Sequence, residues 1–178
     1  MKELNRREFL ALSGASVALL ALAACGGAPS VPAVPTNGEA AKVLEAINLY
    51  RKKAGVNEPL VLDDGLKPAA EIVVKLATDK TQNPEEGTLE YGKIMTGYTG
   101  PCQPIGLIVN TDTAEYFPKY ACMDSAEQMA EYLWGQIDDT ALNQLKLPNI
   151  KLAYIQTFQY GGLTYWVAVA AEGKKLTP

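Results

Sequence analysis

Three carboxylates stand close together at Glu85, Glu86 and Glu90, a spacing that acid–base chemistry on a polymer substrate could use. Such chemistry needs two carboxyls whose surroundings push their proton affinities apart. The flanking residues are polar and glycine-bearing, so solvated charge is the simpler expectation here. The sequence contains no histidine, which removes the commonest general base, histidine-dependent triads and most zinc sites. No metal site is therefore expected. Thr140 stands at a helix start, where a hydroxyl ordinarily caps, and Ser125 is the only serine beyond residue 30. No phosphate loop, flavin fingerprint or haem motif is present, so no cofactor is expected.

Cysteine carries a different chemistry. Cys25 closes Leu22-Ala23-Ala24-Cys25, which resembles a lipobox, the site where a peptidase cuts before a cysteine bearing a diacylglyceryl thioether. Lys2, Arg6 and Arg7 form a basic start, and Phe9 to Ala24 is an uncharged, mostly apolar run too short to span a bilayer. Asn5-Arg6-Arg7-Glu8-Phe9-Leu10 resembles a bacterial twin-arginine export signal, with Phe9 and Leu10 as the apolar pair. Residues 1–24 are expected to be a signal peptide, 25–38 a lipidated cysteine and a Pro/Gly tether, and 39–178 one domain. The expected location is outside the cytoplasm, with Cys25 lipid in the inner or outer membrane. Cys102 and Cys122 remain, and an even count in an oxidising compartment favours a disulfide worth about 3 kcal/mol. A metal pair or redox couple would need closer spacing or further ligands.

The whole chain of 178 residues has a formal charge of −4, which argues against a grip on nucleic-acid phosphates. Tyr91, Tyr98, Tyr116 and Tyr120, with Glu85 and Thr140, are the candidate lining of a ligand cleft. Tyrosines offer an apolar face and a polar tip, which suits a small apolar or glycan ligand or an envelope protein. Filling the space beneath long loops is the competing role.

These residues need elements to hold them. Val43, Leu44, Ile47, Tyr50 and Ala54 recur at helical spacing up to Gly55. Asn48 and Arg51 lie on the same helix, where backbone bonding and a loop carbonyl or carboxylate are their expected partners. Pro59 to Leu62 reads as extended. Asp64 is the natural cap of a second helix with Pro68 in its first turn, and Thr81 to Gly106 reads as a long irregular loop. Ile105 to Val109 reads as a strand. Asp124 and Glu127 form a capping-box pattern for a third helix, and Asp139 caps a short one ending near Leu145. Ile150 to Tyr160 and Leu163 to Ala171 alternate as strands around a Gly161-Gly162 hairpin turn. The order predicts an α+β domain with helices covering the sheet.

Leu44 to Arg51, with Asn48, Tyr50 and Arg51, resembles the opening helix of the CAP superfamily, which groups cysteine-rich secretory proteins, antigen 5 and pathogenesis-related proteins. Leu62-Asp63 with the helix from Leu66 to Ala77, then Trp134, Asn143 and Leu145, then Ala153 and Tyr165-Trp166 continue the pattern. The resemblance covers roughly residues 40–171 and implies an α-β-α sandwich with a central antiparallel sheet flanked by helices. Many members line a cleft with two histidines and two acidic residues. Here the corresponding places fall near Glu85, Thr140, Gly106 and Leu107, so the resemblance implies the fold with a dismantled metal cleft. A non-catalytic, lipid-anchored binding domain is the leading expectation. An envelope-polymer hydrolase using cleft carboxylates, or a structural spacer, are the alternatives.

Overall fold

The structure, a computed structural model, describes residues 38–100, 103–110 and 115–175. Every described element lies in the second of two units, Pro32–Pro178. Helix α1 (Gly38–Lys53) forms because Val43, Ala46, Ile47 and Tyr50 align on one buried stripe, with Glu39 in its first turn and Arg51, Lys52 and Lys53 in its last. Gly55, at φ 86°, ends it in the left-handed conformation that glycine adopts without strain.

Strand β1 (Val61–Leu62) follows, and then a single 3-10 turn, Asp64–Leu66. The turn is capped by Asp63, whose Oδ1 accepts from the Gly65 N–H at 2.9 Å, so the cap falls one residue earlier than Asp64. Helix α2 (Lys67–Thr78) carries Pro68 in its first turn, as expected, and buries Ala69, Ala70, Val73 and Ala77.

The largest departure from expectation is helix α3 (Pro84–Met95), which occupies the stretch read as an irregular loop. Asn83 Oδ1 caps the Glu85 N–H at 3.0 Å, Pro84 opens the helix, and Glu85 and Glu86 complement its positive end. Its apolar stripe is thin, with only Met95 buried, and Gly87 and Gly92 lower its intrinsic propensity. Packing on α2 supplies the difference. A Cβ at Gly87 would lie 2.8 Å from the Leu76 methyls, so the glycine leaves room for that side chain between the two helices.

Strands β2 (Tyr98–Thr99), β3 (Pro104–Ile105), β4 (Leu107–Asn110) and β5 (Glu115–Pro118) come next. The single strand expected from Ile105 to Val109 is broken at Gly106, which sits at φ 102° with its α-carbon facing the Trp166 carbonyl. Helix α4 (Ala126–Gly135) is capped by Ser125 Oγ, which accepts from the Gln128 N–H at 3.2 Å, and not by Asp124. Helix α5 (Thr140–Gln144) is capped by Asp139 as expected. Strands β6 (Leu152–Tyr160) and β7 (Leu163–Ala171) pair along their whole length around Gly161 and Gly162, both at positive φ, and β8 (Gly173–Lys174) joins β2.

The fold is α+β. Its main sheet has the order β1-β6-β7-β3, and β1 runs parallel to β6. The sheet is therefore mixed, where a wholly antiparallel one was expected. Alternation along the hairpin sends Ala153, Ile155, Trp166, Ala168 and Ala170 to one face, where they pack with Val43, Ala46, Ile47 and Tyr50 of α1 and Met129 and Leu133 of α4. The opposite parity, Leu152, Tyr154, Val169 and Ala171, packs with Leu66, Ala69, Ala70, Met95 and Tyr98. Helices thus cover both faces of the sheet.

Arg51 fastens the first layer. Its guanidinium is buried and donates to the carbonyls of Leu145 (2.5 Å), Leu147 (3.3 Å), Glu58 (3.2 Å) and Ile150 (3.0 Å). Asn48 Oδ1 accepts from the Leu60 N–H at 3.0 Å. Both residues take the structural roles expected from the sequence.

Candidate functional site

Helices α2 and α3 lie side by side on the outer surface of the second layer, and the space between them is a groove of about 480 Å³. Pro68, Ile72 and Ile94 supply its apolar lining, while Glu71, Lys75, Glu90 and Lys93 line it with both signs of charge. Glu71 is held by Lys67 at 3.8 Å. Toward the start of α3 a smaller recess of about 110 Å³ is bounded by Leu76, Gln82, Asn83, Glu86 and Gly87. A lining that is part apolar and part charged suits a ligand that has both an apolar body and polar groups. Glu71, Lys75 and Lys93 were not singled out from the sequence. The Asn83-Pro84-Glu85-Glu86 start signal would have placed α3, and with it this groove.

The six candidate cleft residues do not form one cleft. Glu85 is exposed on α3 and lines neither space, while exposed Glu86 and Glu90 stand at the recess and at the groove. Tyr91 packs half-buried on the second core cluster, and the Tyr116 hydroxyl lies 3.2 Å from Thr88 Oγ1, joining β5 to α3. Tyr98 is buried on the same side, where its hydroxyl donates to Asp63 Oδ2 at 3.4 Å. Burial, and then the Asp63 charge, raise its proton affinity above that of an ordinary tyrosine. Lys174 Nζ completes the group, 2.9 Å from Asp63 Oδ1, and this bond raises the lysine's own affinity.

Tyr120 and Thr140 belong to the other side of the sheet. Thr140 is the exposed first residue of α5. Tyr120 is fully buried, stacked on Trp166 with ring centroids 5.4 Å apart, and its hydroxyl donates to Asp139 Oδ2 in a short hydrogen bond. Lys119 Nζ donates to the same oxygen at 2.5 Å, and Asp139 Oδ1 accepts from the Leu142 N–H at 2.9 Å. Burial, the largest single influence on Asp139, pushes its carboxyl up, but the bonds from Leu142, Lys119 and Tyr120 together outweigh it and hold it below the usual carboxylate range. Burial and the same bond drive Tyr120 far upward, and burial with the Asp139 charge pushes Tyr50 up to about 12. This is a buried polar network, closed by protein groups and turned away from the groove.

Cys122 carries a free, half-buried thiol pushed up to about 11 by burial and by Glu39. Its expected partner Cys102 lies outside the described residues, as do Arg6, Arg7, Phe9, Leu10 and Cys25. Among the described residues no helix is long and apolar enough to cross a membrane, and no group of three His, Cys, Asp or Glu side chains is placed to hold a metal ion. No family model matches the chain, and neither the curated proteins nor the solved structures contain a match to it.

Proposed function

We propose that this chain is an extracytoplasmic lipoprotein, anchored through Cys25, whose CAP-like domain binds a small amphipathic ligand, apolar or glycan in body, in the groove between α2 and α3. Binding, not turnover, is the activity. The observation that carries this reading is the groove itself, lined by Pro68, Ile72 and Ile94 together with four charged side chains. Anchoring rests on the basic start, the apolar run and Leu22-Ala23-Ala24-Cys25.

The domain type is supported by a convergence. Tyr50 and Arg51, from the opening helix, meet residues about ninety positions away that carry the same resemblance: Tyr50 donates to Asn143 Oδ1 at 3.4 Å and stands edge-on to Trp134 at 6.1 Å, and Arg51 binds the Leu145 carbonyl. Helices on both faces of the sheet support it as well.

Native mass spectrometry of the full chain, extracted gently from membranes, tests both halves. The expected result is a chain beginning at Cys25 with a diacylglyceryl adduct, carrying a further non-covalent mass that Ile94→Glu abolishes. A lipidated chain with no retained mass, and with no saturable binding of apolar or glycan probes, overturns the binding reading.

A further inference from the structure

The β6–β7 hairpin ends in a tip flanked by two exposed apolar side chains. Tyr160 and Leu163 are 39% and 54% exposed, and between them stand two glycines with no side chain to cover either. The glycine pair is ordinary for such a turn, but the strand residues that flank it, Leu163 and Tyr160 with its ring edge-on to Tyr165 at 6.3 Å, leave an adjacent apolar pair open to solvent.

The end of the domain on which this tip lies is fixed by two contacts. The Cys122 backbone N–H donates to the Thr164 carbonyl at 2.7 Å, one residue beyond Leu163, and the Cys122 thiol is close enough to Glu39, the second residue of α1, for that carboxylate to raise its proton affinity. At the other end Arg51 donates to the Ile150 carbonyl, just before β6 begins. Helix α1 and strand β6 therefore run in opposite directions. The start of α1 and the hairpin tip share one end of the domain, and Leu147, whose carbonyl also binds Arg51, lies at the other.

The chain enters the domain at the start of α1. Twelve residues lie between Cys25 and Gly38, so the thirteen steps from one to the other reach at most about 45 Å even fully extended. The charges named at this end sum to −1, since Lys42 pairs with Glu39 at 3.0 Å and exposed Asp124, two residues from Cys122, adds a negative one. Any contact with a bilayer here is apolar in kind.

We propose that the Tyr160–Leu163 hairpin tip is a second membrane contact, seated in the headgroup region of the same bilayer that holds the Cys25 lipid. The inference rests on the anchoring reading above. Tyrosine suits the interface because its ring is apolar and its hydroxyl stays hydrated, and the neighbouring leucine enters the acyl boundary. Two attachments also orient the domain, placing the Leu147 end away from the lipid.

The test uses the full chain purified from membranes and reconstituted into phosphatidylethanolamine/phosphatidylglycerol vesicles, with its mass measured first. Reporter variants Leu163→Trp and Leu147→Trp, each at an exposed position, are compared after subtraction of the parent emission. Seating predicts that the added indole at 163 shifts to the blue and is quenched by brominated phosphatidylethanolamine, unchanged by high salt, while that at 147 is not quenched. Hydrogen exchange on the parent chain, which needs no substitution, is expected to slow at residues 160–164 on vesicles relative to detergent-free solution of the Cys25→Ser chain. A lipidated chain whose position 163 is unquenched and whose tip amides exchange equally fast overturns the inference alone. A chain without the Cys25 adduct overturns the anchoring reading and the inference with it.

Discussion

Arg51 shows how one side chain can set the geometry of distant segments. Four carbonyls from the Glu58 loop, the end of α5 and the approach to β6 converge on its buried guanidinium. Only a planar group with several fixed donors reaches them together. Arg51→Ala leaves buried acceptors unmet and is expected to cost more than about 3 kcal/mol. Arg51→Lys restores little of this, because one ammonium cannot span the four positions. Urea denaturation of the two variants against the parent measures both effects.

Asp139 carries a pH signature. Its carboxyl is held below the ordinary range in the folded chain, so its contribution to stability is fully present above the unfolded value near 3.9 and is lost as pH falls through the folded value. Asp139→Asn keeps a competent helix cap while removing the charge that Lys119 and Tyr120 share. The expected loss is about 2 kcal/mol at pH 7, shrinking as the pH falls below about 4. Denaturant midpoints for the pair at pH 7 and pH 3 test this, and an equal gap at both would show that the charge is not what matters. Tyr50 and Tyr120 bear on the alkaline side. Their folded proton affinities are raised, so the stability they confer is present below about pH 10 and is lost above it. Absorbance titration should show both ionising only as the chain unfolds.

At the scale of elements, close approach is decided by glycine. Gly106 turns β3 into β4 at φ 102°, and a Cβ there would meet the Trp166 carbonyl oxygen at 2.6 Å. That neighbour is sheet backbone and cannot swing aside. Gly106→Ala is expected to lower stability by about 3 kcal/mol, combining left-handed strain with a backbone clash. Thermal unfolding of the variant reads the effect directly. A shift of under one degree would mean that the sheet edge yields. Gly87 is the gentler case, because its neighbour is the flexible end of Leu76. Helix α4 shows the same dependence on a partner element, since Trp134 packs edge-on to Tyr50 of α1 and lies under Lys53 and Lys146, at 5.2 and 4.9 Å from its ring centre.

For the whole molecule, the proposal of a lipid anchor at Cys25 makes a prediction separate from those about the core. Among the described residues the two core clusters draw on Ala40 to Ala171, whereas Cys25 follows the apolar run and precedes a Pro/Gly-rich stretch in the sequence. Cys25→Ser is therefore expected to move the chain out of the membrane fraction and abolish palmitate labelling, with the circular-dichroism spectrum and melting temperature unchanged. Continued membrane retention of this variant in high salt would remove lipidation as the anchor.

Local pattern determined much of this protein. The period of Val43, Ile47 and Tyr50, the Asp139 cap, Pro68 within a first turn, the Gly161-Gly162 turn and the alternation on either side of it each rest on interactions within a few residues, and each is found in the structure. The α+β class follows from their order. Tertiary structure decided what depends on neighbours far along the chain. It made α3 a helix by packing a weak sequence against α2, broke one apolar run at Gly106 against Trp166, and placed β1 parallel to β6. It also divided the candidate cleft, because Tyr120 and the helix that begins at Thr140 pack into one core cluster, while Tyr91 and Tyr98 pack into the other and Tyr116 meets Thr88 of α3. Residue type told what each side chain could do, but only packing against the two faces of the sheet determined which of them meet.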